Sequence, residues 1–273
     1  MSTARYFSIR CSFYLGELKR VAERLDGDLD EAAARGDLYM EICLRTTAVP
    51  RLQLVEDRPD AARQGLEGVI RLMGARDYPI QKYYLCYALV DLDLYEGQGE
   101  VGYQRIDIEL KRLRDSYLLR VQVLRIAVAD HQARCALQVA SAKQGSERRH
   151  WLALAEKACA SIAQEHAAWA QPLARRHGAA LCALRGERER ALKLCDVAAA
   201  ELAAVDLRVY ADSLRYAQGL LMGGEAGAAL CAQAEKELRL EGVKAPARWS
   251  TAMHPGLVSL HSAHSAHSAE LGS

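Results

Sequence analysis

The sequence has little of what a β-sheet needs: runs of Val, Ile and Thr are missing, and 273 residues include only two Phe. Charge of one sign is lacking too. Thirty-six Lys plus Arg face thirty-five Asp plus Glu, so there is none of the basic excess that nucleic-acid binders carry. No stretch approaches the roughly 20 uninterrupted apolar residues of a membrane span. The start, MSTARYFSIRCSFYLGELKR, has no long apolar core before a cleavage site, which argues against a signal peptide. None of the eight cysteines forms a CxxC pair. Most fall in Ala/Leu-rich stretches such as LCAL (181–184) and LKLCDV (192–197), as expected of reduced, buried thiols in a cytoplasmic protein. HExxH, Walker A, GxSxG and zinc-ligand spacings are also missing, so neither a catalytic residue, a cofactor nor a metal site is expected.

What is present favours helix. The chain is 51% hydrophobic, chiefly through Ala and Leu, and 26% charged, residues that lose little on entering a helix. An all-α protein follows. One pattern recurs: a helix ending on an apolar residue, a short turn of Gly and acid, then a small residue opening a second helix. It reads LVEDRPDAARQGL (54–66), LYEGQGEVGYQRI (94–106), LRGERERALKLCD (184–196) and LLMGGEAGAALCA (220–232), with a weaker copy in AKQGSERRHWLAL (142–154). The turn residues Asp57, Gly97, Gly145, Gly186 and Gly223 stand 40, 48, 41 and 37 positions apart. A near-constant step of this size marks a helix-pair repeat.

Reading outward from the turns gives first helices over 37–56, 80–96, 116–142, 166–185 and 207–222, and partners over 60–76, 99–115, 147–165, 187–205 and 225–241. Pro50 should kink the first of them. Small residues at Ala62, Gly102, Ala191 and Ala228 should let paired helices approach. The expected organisation is an N-terminal helical segment (1–36, helix over 12–35), about five helical-hairpin repeats (37–245), and a disordered tail (246–273) rich in His-Ser-Ala. The fold is a right-handed solenoid of antiparallel helix pairs, tetratricopeptide-like.

Three motifs bear on chemistry. Gly97-Gln98-Gly99-Glu100-Val101-Gly102 matches GxGxxG, but a dinucleotide fold needs a strand before it, and the same turn recurs without the extra glycines; it reads as a repeat turn. Asp91-Leu92-Asp93 begins like a calcium loop, yet Glu96 stands where Gly is required and Gly102 where Glu is. His131, His166 and His177 read as surface or core-edge residues. His261, His264 and His267 could bind a divalent metal only incidentally.

The tyrosines are more informative. On a first helix, Tyr84, Tyr87 and Asp91 share one face at i, i+3 and i+7, a candidate partner-binding stripe on the inner curve. Arg176, and less clearly Arg120, Arg125 and Arg175, could present charge to the same groove. The alternative is that the rings pack between neighbouring hairpins.

Several phrases resemble the C-terminal helical-repeat region of large bacterial serine/threonine protein kinases and of regulators that join an AAA/STAND-type ATPase to such repeats. They are FYLGEL (13–18), ARGDLYMEICLRT (34–46), YYLCYALVDLDLYEG (83–97), LLRVQVLRI (118–126), LRGERERAL (184–192) and APARWSTAMHPG (245–256). The resemblance implies the sensing or partner-binding end of a bacterial signalling protein. Kinase activity would belong to segments this sequence does not contain. The expectation is a non-catalytic, cytoplasmic interaction module binding a protein or peptide, with no nucleic acid or membrane partner; the alternative is a small-molecule sensor controlling an attached kinase or ATPase.

Overall fold

A computed structural model describes residues 2–76 and 78–257. These residues are all-α, without a strand among them. The helices are α1 (Ser2–Leu15), α2 (Leu18–Ala34), α3 (Leu38–Thr47), α4 (Val49–Val55), α5 (Pro59–Met73), α6 (Pro79–Tyr95) and α7 (Gly99–Asp115). After a 3-10 turn, Leu118–Arg120, come α8 (Gln122–Ala142), α9 (Gly145–Ala163), α10 (Ala170–Leu184), α11 (Arg188–Ala204), α12 (Arg208–Met222), α13 (Gly224–Leu240) and α14 (Pro246–Met253). No described helix is long and apolar enough to cross a membrane.

Neighbours in sequence pack as α4 with α5, α6 with α7, α8 with α9, α10 with α11 and α12 with α13, and successive pairs then pack on one another. The first members form an inner layer. α8 buries residues all round its surface, from Leu124 to Ala140, whereas its partner α9 buries one stripe, Leu152, Ala155, Ala158 and Ile162. Apolar clusters run through the whole array, and Tyr103, Tyr210 and Leu220 border both large ones.

The turns explain the repeat. α6 ends with Gly97 at φ 79°, where Gly97 N–H donates to the Leu94 carbonyl and Gln98 N–H to that of Asp93. This double bond closes the last helical turn and requires a left-handed residue. The same pair of bonds recurs around Gly186 and, with aspartate in the left-handed position, at Asp57.

Four of the six prolines fall within the first two residues of α4, α5, α6 and α14, where the missing N–H costs nothing. The kink expected at Pro50 is a break at Ala48, between α3 and α4.

Gly99 and Gly102 are packing residues. A Cβ on Gly99 would come within 3.0 Å of the Cys135 carbonyl oxygen, and one on Gly102 within 3.0 Å of the Cys135 sulfur, so both glycines seat α7 against α8. The segment leading into Gly97 is helix, not strand.

Three expectations need correction. The N-terminal region is two helices, divided at Gly16 (φ 81°). In the last pair the close approach is made by Gly227, whose Cβ would lie 2.4 Å from the Gly219 oxygen, while Ala228 is exposed. The tail expected to be disordered from Pro246 is instead the helix α14, with Trp249, Ala252 and Met253 buried, because its apolar face has the inner layer to pack on. Residues 258–273, with His261, His264 and His267, lie outside the described residues.

A candidate peptide groove and its occupant

The inner helices line a groove with an unusual content for an Ala/Leu-rich interior: buried charge. On α6, Tyr87 and Asp91 point inward one turn apart. On α8, Asp130, His131 and Arg134 do the same, and on α10, Arg176 and His177. Charged groups survive burial only when paired and hydrogen-bonded, and these form two linked clusters. Asp91 accepts from Arg134 Nη1 at 2.8 Å and from Arg51 Nη2 at 3.1 Å, and His131 Nε2 lies 3.2 Å away. Asp130 accepts from Arg176 Nη2 and pairs with His177 Nε2 at 2.8 Å.

Burial alone would raise both carboxyl pKa values. The guanidinium of Arg134 for Asp91, and of Arg176 for Asp130, with the neighbouring histidines, outweighs it and holds both well below the usual carboxylate range. Burial, reinforced by Arg176, pushes His177 down. Burial holds the Tyr87 phenol far above its ordinary pKa, and its hydroxyl oxygen accepts from Arg51 at 2.8 Å.

α14 sits against this lining, packed on α6, α12 and α13. The last carbonyls of a helix have no partner within it. Here Arg134 reaches the Ala252 carbonyl through Nη2 at 3.0 Å and Nε at 3.3 Å, and Arg176 Nη1 reaches that of Met253 at 3.3 Å. His254 Nε2 lies 2.8 Å from Ser213 Oγ on α12. At the other end, Arg248 pairs with Asp57 at 2.9 Å and stacks over Tyr95, whose hydroxyl donates to the same aspartate. This short segment is thus held by side chains from five helix pairs, two of them through its own main chain.

The four residues singled out from sequence meet different fates. Tyr87 and Asp91 belong to the groove lining. Arg176 joins them there and is 1% exposed. Tyr84 lies further along the same helix, buried beside Tyr6, with its hydroxyl accepting from Arg10 at 3.0 Å, so α1 covers it. Tyr84 and Arg176 are therefore interior residues in this conformation, because α1 and α14 fill the face that was expected to be open.

Arg125 pairs with Glu165 and Arg175 with Glu201, both away from the groove. His131 and His177, expected at the surface or core edge, are each 3% exposed and line the groove.

Arg51, Asp130, Arg134, Tyr210 and the segment 246–257 were missed. The signal for some of them was legible: an acid and an arginine, Asp130 and Arg134, inside the largely apolar stretch VADHQARCALQVA mark charges that need buried partners on other helices.

All eight cysteines are free thiols; Cys43, Cys135, Cys182 and Cys195 are buried, and Cys11 is exposed. Among the described residues no group of three or more His, Cys, Asp or Glu is placed to hold a metal ion. Comparison of the chain with protein-family models, with curated proteins and with solved structures gives no match.

Proposed function

We propose that this chain is a non-catalytic helical-repeat interaction module that binds a peptide segment of a protein partner in the groove lined by its first helices. The observation that carries this reading is that the groove already holds a helix, 246–253, gripped through main-chain carbonyls by Arg134 and Arg176. Main-chain recognition of this kind transfers to other sequences, since every peptide offers carbonyls, while Trp249 and Met253 supply the apolar anchors. In this reading the helix pairs form a right-handed, tetratricopeptide-like solenoid of antiparallel hairpins, and the segment 246–257 is a placeholder for the partner. Tyr87, Asp91 and Arg176 act from the groove, and Tyr84 supports its wall. The resemblance to kinase-associated repeats is what supports reading the module as part of a bacterial, cytoplasmic signalling protein.

A fluorescein-labelled peptide of residues 246–257, titrated by anisotropy against the full chain carrying Trp249→Ala, tests the reading. Saturable binding that the wild-type chain resists, because its own segment competes, is the expected result. No binding to a well-folded Trp249→Ala chain overturns it.

A second reading, a small-molecule sensor controlling an attached kinase or ATPase, has one observation in its favour. A cleft of about 320 Å³ between α5, α6 and α7 has an apolar floor of Met73, Leu85 and Leu89 and a rim carrying Arg76, Arg105 and Arg112. Binding of small anions there, detected by shifts of amide resonances confined to α5–α7, is its test.

A further inference from the structure

The groove is imperfectly matched to the helix it holds, and the mismatch has a chemical sign. Three guanidiniums, Arg51, Arg134 and Arg176, share two carboxylates, Asp91 and Asp130. The histidines nearest the helix end do not redress this toward negative charge; His177 and His254 are held neutral by burial and by the arginines around them. Arg176 Nε is buried without a hydrogen-bond partner, as are Trp249 Nε1 and Ser250 Oγ of the seated helix. Buried donors in native proteins are nearly always satisfied.

One side chain of the occupant shows where an acceptor belongs. The thioether of Met253 is buried with its sulfur 3.7 Å from Arg134 Nη2, which also donates to the Ala252 carbonyl at 3.0 Å, so the sulfur is the weaker of the two acceptors of that nitrogen. Thioether sulfur is a weak acceptor. Glutamate has nearly the same length as methionine, and its Cδ would stand where the sulfur stands, bringing a carboxylate oxygen into ion-pair distance of Arg134.

We propose that the groove is built for an acidic peptide segment, one that presents a carboxylate at the seat taken here by the Met253 side chain, and that the chain's own helix, which has no carboxylate, is a weaker stand-in which such a segment displaces. This rests on the peptide-groove reading and names its ligand class. A hydrogen bond to a charged acceptor is stronger than one to a neutral acceptor, so the guanidinium favours a carboxylate over a neutral amide at that seat. α14 follows α13 through the short connection 241–245, whose Lys244 N–H donates to the Val55 carbonyl, so leaving the groove also loosens that fastening.

Two measurements test it. In the first, the labelled 246–257 peptide and the same peptide with Met253→Glu are titrated against the full chain carrying Trp249→Ala. The acidic peptide is expected to bind at least tenfold tighter, and Arg134→Gln in the chain should abolish the difference. Equal binding of the two peptides overturns the carboxylate preference and leaves the groove reading standing; binding of neither overturns both.

In the second, which does not depend on how well Trp249→Ala folds, Met253→Glu is placed in the otherwise wild-type chain and melted at pH 7.5. A carboxylate in an indifferent apolar seat lowers the melting temperature. The seat inferred here raises it by several degrees, and a lowered value refutes the inference.

Discussion

Mild acid should loosen the grip on α14, and the effect can be sized from His254. The imidazole is 4% exposed, with Nε2 on Ser213 Oγ at 2.8 Å. Burial first, then Arg176, His177 and Arg134, hold its pKa well below the ordinary value, and Asp130 only partly opposes them. No other carboxylate among the groups acting on it would welcome the added charge.

In the unfolded chain, histidine titrates near 6.5. A group whose folded pKa is depressed contributes stability that is complete above its unfolded pKa and is lost as pH falls, because the unfolded chain then binds the proton first. While the folded imidazole stays unprotonated, one such histidine costs at most about 2 kcal/mol between pH 6.5 and 5.0, at about 1.4 kcal/mol per pH unit. His177 adds to the loss with the same sign.

Asp91 and Asp130 do not contribute in this window. Their folded pKa values are depressed below an unfolded value near 4, so their stabilisation persists until the pH falls further. Melting followed by circular dichroism between pH 7.5 and 5.0 should therefore fall by up to roughly 4–8 °C for His254 alone. His254→Gln keeps a polar group toward Ser213 but does not titrate, and it should remove that share of the slope. A stability that is flat over this range, or an unchanged slope in His254→Gln, refutes the argument.

Two further outcomes follow from the packing. Ala191 is fully buried where α11 opens, so Ala191→Leu should overpack the approach to α10 and destabilise by about 1–3 kcal/mol, read from urea unfolding. Tyr84→Ala combined with Tyr87→Ala should lower the melting temperature clearly, on the scale of about 3–5 kcal/mol for one large buried ring. The rings pack against Tyr6 and His131, and wild-type melting of this double variant would mean that α1 does not cover the face.

Much of the helical layout was legible because turn chemistry is local. Glycine at a left-handed C-terminal position marks Gly97 and Gly186 without reference to anything distant. The paired spans from 60 to 241 follow from those marks within a few residues, except that the helix expected from 116 begins at Gln122, after the left-handed Tyr117 and the 3-10 turn. Position 228 was misassigned by one residue for an instructive reason: Gly223 and Gly224 both have positive φ, so the sequence offers two adjacent starting points for α13.

The occupied groove was not legible, since it depends on contacts across large separations. Arg134 and Ala252 stand 118 positions apart. Nothing local distinguishes PARWSTAM as a docked helix from a polar tail, apart from Trp249 and the proline at its start. Tyr84, Tyr87 and Asp91 were found as one helical face, but helical periodicity cannot say what lies opposite that face.

The chain also fastens its beginning to its far side. Leu18 N–H donates to Glu241, Lys244 N–H donates to the Val55 carbonyl, and Gly16 lies so close to Val209 that an added Cβ would fall 2.8 Å from its methyl. A stack of repeats that touches only its nearest neighbours stretches like a spring and frays from either end. Clasped as this one is, from α2 to α13 and from α4 to the segment before α14, it resembles a buckled belt. Opening the array means breaking these contacts. Any signal passed through this protein by a change of curvature must first undo the fastening beside α14, which would make release of that helix and a change in shape one event.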